Sequence, residues 1–300
     1  GSRPRRLMES SRLTLLGVPI NSVGRDGGTE EGPAGLRALL DGNGLGDAGD
    51  TSQHIRGSDR SRTNGWLAYD DIVKMTGEVR GRVGEITAAG EIPLVLGGCC
   101  TLIPAVLAGA RDTYGDIGLA YFDGHLDLFT GNSSPTGEGA DMPMAATLGM
   151  APPEMLHEIG HTPVIAPQRI YMVGSRDQEE LQMIAPLPAG IDFGAIHDRE
   201  SLRHEDLSNL GSRIATLLDR DQGRFWLHID VDVLGQDCFP ATDYLMPDGL
   251  SMPELKAMLA PLAASPGMIG VNVTCFNPDR DPEGACGRDL ASMLVSILSI

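Results

Sequence analysis

The segment Ile117–Phe122, with the sequence IGLAYF, is an uninterrupted apolar run that leads directly into Asp123-Gly124-His125-Leu126-Asp127. A short run of this kind is typical of a strand buried on both faces, as in a parallel sheet. Because side chains alternate along an extended chain, Asp123, His125 and Asp127 are expected to project to the same side. Ligands bind just beyond the carboxyl ends of such strands, so this pentapeptide is a candidate site.

Similar apolar runs alternate with helical patterns along the rest of the chain. The other predicted strands are Leu13–Val18, Ile92–Leu96, Arg169–Val173, Phe225–Val231 and Met268–Val273. The predicted helices are Gly32–Leu40, Asp70–Ala89, Leu102–Ala110, Asp206–Leu218, Pro253–Leu262 and Asp289–Leu298. The polar, glycine-rich segment Gly42–Asn64 is expected to be a mobile loop or an insertion. This alternation predicts an α/β fold with helices on both faces of a central, mostly parallel sheet.

The composition indicates a globular protein with an acidic surface. The 300 residues are 41% hydrophobic, and 23 basic against 41 acidic residues give a net charge of −18. This balance excludes neither a small-molecule substrate nor a metal, but it disfavours nucleic acid and anionic membranes, which require a clustered positive face. No apolar run approaches the ~20 residues of a membrane span. We interpret residues 8–300 as one domain and residues 1–7 as a cloning remnant or a disordered N-terminus.

The five cysteines do not form the pattern of a disulfide framework. Their number is odd, and two of them are adjacent. Structural disulfides are typical of oxidising compartments. The cysteine pattern therefore predicts a reducing, cytoplasmic location.

A second group of polar residues lies in the predicted strand Phe225–Val231. His228, Asp230 and the following Asp232 occupy alternate positions in an otherwise apolar segment. Buried aspartates are rare unless they are paired or bind a metal. The pentapeptide alone fits a solvated loop as well as a metal site, but two such strand ends favour a shared site for one or two divalent ions. Aspartate and histidine suit manganese, zinc or iron.

Several motifs, in the same order along most of the chain, resemble the ureohydrolase family of arginases, agmatinases and their relatives. They are Leu16–Pro19, Gly32–Arg37, Leu96–Thr101, Asp123–Asp127, Gly174–Asp177, His228–Asp232, Pro240–Thr242 and Pro247–Leu250. The resemblance implies an arginase-type three-layer α/β/α fold with a binuclear manganese site at the strand ends. It also implies that metal-bound hydroxide attacks a guanidinium carbon and releases urea.

The resemblance assigns metal ligands by position. Asp123 and Asp230 would bridge the two ions, and His125 and Asp232 would complete one of them. Two cations that share a water lower its pKa and stabilise a tetrahedral intermediate.

The second ion of the family site would be held by Asp127 and by position 100, where the family has histidine and this chain has Cys100. A thiolate favours softer ions, so Zn²⁺ or a single ion would then replace the two Mn²⁺. Alternatively, Cys100 and Cys99 are small buried hydrophobes. His228 either replaces the missing imidazole, donates to a bridging carboxylate, or is an ordinary core histidine.

The chain also departs from the family on the substrate side. The segment that carries the family's proton-shuttle histidine falls on residues 140–143, so Asp141 either takes over acid–base chemistry or caps the following helix. Glu138 is the alternative acid. A family glutamate that pairs with guanidinium is replaced by Cys275, which cannot form a bidentate ion pair.

Two further acids match positions that hold a substrate amino group in relatives. These are Asp177 and Glu179, for which a salt bridge within a loop is the alternative interpretation.

Together these residues predict a metal-dependent hydrolase that cleaves a C–N bond of a linear guanidine, amidine or related amide. Asp127, Asp141 and His228 are the catalytic candidates. Two alternatives stay open: the same fold repurposed for a non-guanidino substrate in specialised metabolism, and a catalytically inactive structural or regulatory relative. By resemblance, the chain would form a homo-oligomer, either a trimer or a hexamer.

Overall fold

A parallel β-sheet runs through the computed structural model, which describes residues 12–23, 27–177, 179 and 191–300. Its strands are β1 (Leu13–Val18), β2 (Gly46–Asp50), β3 (Ile92–Gly97), β4 (Gly118–Phe122), β5 (Ile170–Val173), β6 (Ala195–His197), β7 (Phe225–Asp230) and β8 (Met268–Thr274). Within the described ranges the strand order is β2-β1-β3-β8-β7-β4-β5-β6, and every neighbouring pair is parallel. Residues 1–7, interpreted above as a cloning remnant or a disordered N-terminus, lie outside the described residues.

The helices form a layer on each face of this sheet. They are α1 (Gly32–Leu40), α2 (Tyr69–Ala88), α3 (Ile103–Tyr114), α4 (Pro143–Thr147), α5 (Pro153–Ile159), α6 (Arg199–Leu202), α7 (Leu207–Asp219), α8 (Met252–Ala263) and α9 (Ala285–Leu298). Helix α2 packs against α3 and α5, whereas α8 packs against α7 and α9, and α9 against α1. Burial of both sheet faces explains why the central strands are continuously apolar. The predicted three-layer α/β/α architecture is confirmed. Among the described residues, none of the helices has the length and apolarity to cross a membrane.

Strand β2 corrects the expectation that Gly42–Asn64 is a loop. Its sequence, GDAGD, has no apolar run, yet it pairs with β1 at the edge of the sheet. The guanidinium of Arg37 fastens it through ion pairs of 3.1 Å to Asp47 and 2.6 Å to Asp50. An edge strand needs backbone pairing on one side only, so hydrophobic patterning does not reveal it.

The sheet order places four strand ends side by side. Strands β3, β8, β7 and β4 are consecutive neighbours, and because all are parallel their carboxyl ends meet at one edge. The two polar segments predicted from the sequence follow β4 and β7, while Cys99 and Cys100 follow β3, and Cys275 follows β8. The candidate site therefore lies across the middle of the sheet.

Candidate metal centre

The loop after β4 gathers its polar side chains by turning, not by remaining extended. Strand β4 ends at Phe122, and the Asp123 carboxylate accepts a 2.7 Å hydrogen bond from the backbone N–H of His125. Asp127 adopts the left-handed conformation, with φ of 52°. The expected alternation of an extended segment was therefore wrong, but the ligand atoms of Asp123, His125 and Asp127 still lie within 4.8 Å of one another.

The loop after β7 is also a turn. The strand ends at Asp230, whose Oδ1 accepts a 3.0 Å hydrogen bond from the backbone N–H of Asp232 in the following 3₁₀ turn. Asp232 in turn accepts a 2.9 Å bond from the backbone N–H of Gly124, which joins the two loops. A Cβ at position 124 would lie 2.7 Å from the Asp232 carbonyl oxygen, so this close approach requires glycine.

These two loops form what we call the aspartate cluster: Asp123, His125, Asp127, Asp230 and Asp232. Ligand atoms of Asp123 and Asp230 lie within 4.8 Å of each other, and Nδ1 of His125 lies 3.1 Å from a carboxylate oxygen of Asp232. The four aspartates are only 1–5% exposed.

Nothing cationic except histidine pairs with these carboxylates in the part of the chain that the structure describes. The nearby Arg176 donates instead to the backbone carbonyls of Asp232 and Val233, at 2.8 and 3.0 Å. Buried carboxylates without cationic partners are costly. The cluster therefore has the donor types, the proximity and the excess negative charge that suit a divalent cation.

The pKa shifts of the cluster have the same origin. Burial, with the charge of Asp123 nearby, raises the pKa of Asp127 well above its usual range, and burial with the charge of Asp232 does the same for Asp230. Burial and the charge of Asp123 also raise the pKa of Asp232. Burial acts in the same sense on Asp123, but hydrogen bonds from His125 and His228 outweigh it and lower its pKa. For Asp127, Asp230 and Asp232, burial and the neighbouring carboxylates therefore disfavour the charged form.

A buried hydrogen-bond chain determines what His228 does. The indole N–H of Trp226 can only donate, and it donates to Oδ1 of Asn272 at 2.8 Å. This fixes Nδ2 of Asn272 as the donor to Nδ1 of His228, also at 2.8 Å. The proton of neutral His228 is thereby assigned to Nε2, which lies 3.3 Å from Oδ2 of Asp123. Of the roles expected for His228, this network favours donation to Asp123 over metal ligation.

Sequence reasoning missed two residues that support the cluster. The hydroxyl of Tyr121 donates to Asp127, and its ring lies 4.4 Å from the ring of His228. Tyr121, His228 and Asn272 are paired side by side across β4, β7 and β8. The sequence contains a signal for both residues. Tyr121 lies two positions before Asp123 and therefore on the same face of an extended strand, and Asn272 is a polar residue within an apolar strand.

The ends of β3 and β8 bring together what we call the cysteine cluster: Cys99, Cys100 and Cys275. Their three sulfur atoms lie within 4.8 Å of one another, and all three side chains are buried. The backbone N–H of Cys275 donates to the Gly98 carbonyl at 2.8 Å, which fixes one loop against the other. Thiol contacts, first with Cys100 and then with Cys275, lower the pKa of Cys99.

Both clusters open onto a small cavity of about 110 Å³. Its lining includes Cys100, Asp123, Asp141, Tyr244 and Cys275. A larger cavity of about 330 Å³ adjoins it, because Tyr244 and Cys275 line both. Tyr244, which sequence reasoning did not single out, therefore lies at the boundary between the two cavities.

The acids predicted to act on the substrate side occupy different positions around these cavities. Asp141 lines the smaller cavity and accepts hydrogen bonds from Ser134 and Thr136 at 2.6 and 2.5 Å. It does not cap helix α4, whose N-cap is Met142 without a side-chain bond, so that expectation was wrong. Glu138 lines the larger cavity, where the hydroxyl of Tyr244 donates to it.

Asp177 and Glu179, which were predicted to hold a substrate amino group, do not line either of these two cavities. Oδ2 of Asp177 accepts a 2.8 Å hydrogen bond from the backbone N–H of Leu126, so this carboxylate supports the loop that carries the metal-ligand candidates. The bond is to the backbone, which differs from the salt bridge expected as its alternative role. Glu179 is exposed, and its role stays a prediction.

Comparison with known proteins agrees with this geometry. The model of the Arginase family matches residues 11–299. The chain belongs to the Arginase family. It is 25% identical to an arginase from Brevibacillus brevis over 300 residues, which cover 96% of this chain and 98% of the relative. It is 26% identical to an arginase from Bacillus caldovelox over 298 residues, 95% of this chain and 97% of the relative.

Solved structures show the same fold for this Arginase family member. The arginase from Bacillus caldovelox superposes with a TM-score of 0.85 at 21% identity, covering 97% of this chain and 99% of that one. The formimidoylglutamase from Bacillus subtilis superposes with a TM-score of 0.76 at 20% identity, covering 96% and 86%. The predicted resemblance to the ureohydrolases and the arginase-type fold are confirmed.

Proposed function

We propose that this protein is a metal-dependent hydrolase of the ureohydrolase type that cleaves a C–N bond of a linear amidine, guanidine or related amide. One observation carries the proposal: four buried aspartates and His125 converge at the carboxyl ends of β4 and β7 beside a cavity, without a lysine or arginine partner among the described residues. The names of its structural neighbours, which include arginase, formimidoylglutamase and agmatine ureohydrolase, support this reaction class.

The aspartate cluster would hold the divalent metal. By the resemblance to the ureohydrolases, Asp123 and Asp230 would be shared between two ions, and His125 and Asp232 would complete one of them. The ligand atoms of Asp123 and Asp230 lie within 4.8 Å of each other, which is compatible with this assignment. Bound divalent ions lower the pKa of a coordinated water and polarise the substrate. The hydrogen bond from Nε2 of His228 to Oδ2 of Asp123 would fix the orientation of this carboxylate toward the metal.

The groups around the cavity favour a substrate with a small head and an extended tail. A volume of about 110 Å³ accommodates an amidine or guanidine head, and the adjoining cavity of about 330 Å³ would take the tail. Cys275 stands where the family has a glutamate and offers no carboxylate for a bidentate ion pair, which argues against the guanidinium binding of an arginase or agmatinase. Asp141 lines the smaller cavity and would move the proton, with its carboxylate oriented by Ser134 and Thr136.

Hydrolysis assays with defined metal content test this proposal. The full chain, purified without a metal-binding tag, is loaded with Mn²⁺ or Zn²⁺ and incubated with linear amidines, guanidines and amides, while released ammonia and urea are measured. We expect turnover in at least one class, and we expect Asp230→Asn to reduce it at least about a hundredfold, because ligand loss exceeds the effect of removing an outer partner.

The exposed Asp237 lies on the same loop and provides the matched control, Asp237→Asn, which we expect to leave turnover unchanged. If the metal-loaded protein hydrolyses none of the three classes, or if Asp230→Asn retains full activity, the proposal is wrong.

A further inference from the structure

The cysteine cluster is a group of potential ligands that the proposed hydrolytic role does not require. Its sulfur atoms come from two separate chain segments, the loop after β3 and the loop after β8. These strands are parallel neighbours, with Leu96 opposite Val273, so the sheet itself brings the loops together. The convergence of three thiols therefore follows from the fold and does not depend on one flexible side chain.

We propose that Cys99, Cys100 and Cys275 bind a thiophilic d¹⁰ cation, Zn²⁺, in the half of the site formed by β3 and β8, beside the oxygen and nitrogen donors of the aspartate cluster. Sulfur atoms within 4.8 Å of one another can share one ion at Zn–S distances of about 2.3 Å. A bound cation deprotonates coordinating thiols outright. Thiolates select Zn²⁺ over Mn²⁺, because they are soft ligands.

The cysteine cluster lies where the hydrophobic core meets the aspartate cluster. Asp230 is paired with Thr274 across β7 and β8, directly before Cys275, so the cysteine cluster lies beside the negative charge of the aspartate cluster. Asp230 or a water would be available as the fourth ligand of a tetrahedral site.

The cysteine cluster is also accessible to an ion. Cys100 and Cys275 line the smaller cavity, and Cys99 and Cys275 line the larger one. A vicinal disulfide between Cys99 and Cys100 is the competing chemistry, and the thiol state of the isolated protein distinguishes the two.

X-ray absorption at the zinc edge tests the site on the unmodified full chain. Reduced, untagged protein is loaded with one equivalent of Zn²⁺. We expect about three sulfur neighbours at about 2.3 Å. A first shell of oxygen and nitrogen only, at about 2.0–2.1 Å, would overturn the proposal, as would a Cys99–Cys100 disulfide that persists under reducing conditions.

Cadmium titration assigns the sulfurs to residues. We expect a sulfur-to-cadmium charge-transfer band that saturates at one equivalent and loses intensity in Cys275→Ala, because only two of the three thiolates remain. The matched control is Cys238→Ala, because Cys238 is exposed and outside the cluster. A band of unchanged intensity in folded Cys275→Ala would contradict the site, and the zinc-edge spectrum of the unmodified chain decides if that variant does not fold. Neither outcome measures hydrolysis, so failure of this site leaves the proposed function standing.

Discussion

Two halves of one sheet edge carry different donor atoms. The ends of β4 and β7 hold the carboxylates and imidazole of the aspartate cluster, whereas the ends of β3 and β8 hold the thiols of the cysteine cluster. All four strands are parallel neighbours, so the residues that follow them lie at the same edge of the sheet in both halves. The fold therefore determines the positions of the ligand residues, while the donor atoms of their side chains determine which metal ion they bind.

The aspartate half is supported by the buried hydrogen-bond chain of Trp226, Asn272 and His228, and Asn272→Leu, which breaks this chain, has the largest expected effect. The substitution leaves the indole N–H of Trp226 and Nδ1 of His228 without a partner in a fully buried environment. Each unpaired group costs about 1–3 kcal/mol, so the free energy of unfolding falls by roughly twice that amount. Urea denaturation of the metal-free protein measures it.

The exposed Asn132 supplies the control for that measurement. Asn132→Leu should change the free energy of unfolding by less than about 0.5 kcal/mol. If Asn272→Leu is equally silent, the hydrogen-bond chain does not support the aspartate cluster.

The substitution Cys100→His gives the cysteine half a nitrogen donor like that of His125 in the aspartate half. This change restores the imidazole that the related family has at this position, and imidazole accepts Mn²⁺ more readily than thiolate does. We expect the affinity for Mn²⁺, measured by calorimetric titration, to rise at least about tenfold. Cys238→His places the same group at an exposed position as a control. Equal Mn²⁺ affinity in Cys100→His and the unmodified chain would show that the two halves do not share a metal centre.

The pH dependence of the metal-free protein sharpens the same comparison. Burial raises the folded-state pKa of Asp127, Asp230 and Asp232, so their contribution to stability is complete below about pH 4 and is lost as pH rises through the raised values. Asp123, with a lowered pKa, acts in the opposite direction and stabilises above about pH 4. Asp123 is ionised in both states above about pH 4 and adds no slope there, so we expect the cluster to lower the melting temperature as pH rises from about 4 to 7.

Thermal unfolding with and without Mn²⁺ checks this expectation. Metal binding requires deprotonated carboxylates, so the stabilisation by Mn²⁺ should increase over the same pH interval. Asp127→Asn removes one raised pKa and should flatten the metal-free slope. A slope that is identical in Asp127→Asn and the unmodified chain would separate the pH dependence from the cluster.

Much of the fold could be predicted because the strands that surround the site are continuously apolar. Leu13–Val18 and Gly32–Leu40 were predicted with the bounds that the structure has, whereas β2 was missed because an edge strand is held by the backbone and by Arg37. The recurrence of Asp and His at the ends of two strands predicted that the residues of the aspartate cluster lie close together. It did not predict the turns that bring them together.

The supporting residues were harder to predict because their roles depend on neighbours distant in sequence. The proton position of His228 follows from Trp226 and Asn272, the latter on a different strand. Cys275 meets Cys99 only because β8 lies beside β3, and a strand order of this kind is not readable from local patterns.

Anomalous diffraction from crystals grown with Mn²⁺ addresses the central idea directly, namely that the buried acids at the ends of β4 and β7 are brought together by a cation. We predict a manganese peak within ligand distance of Asp123, Asp230 and the His125 imidazole. A fully ordered loop pair that shows no such peak at saturating Mn²⁺ would contradict the account.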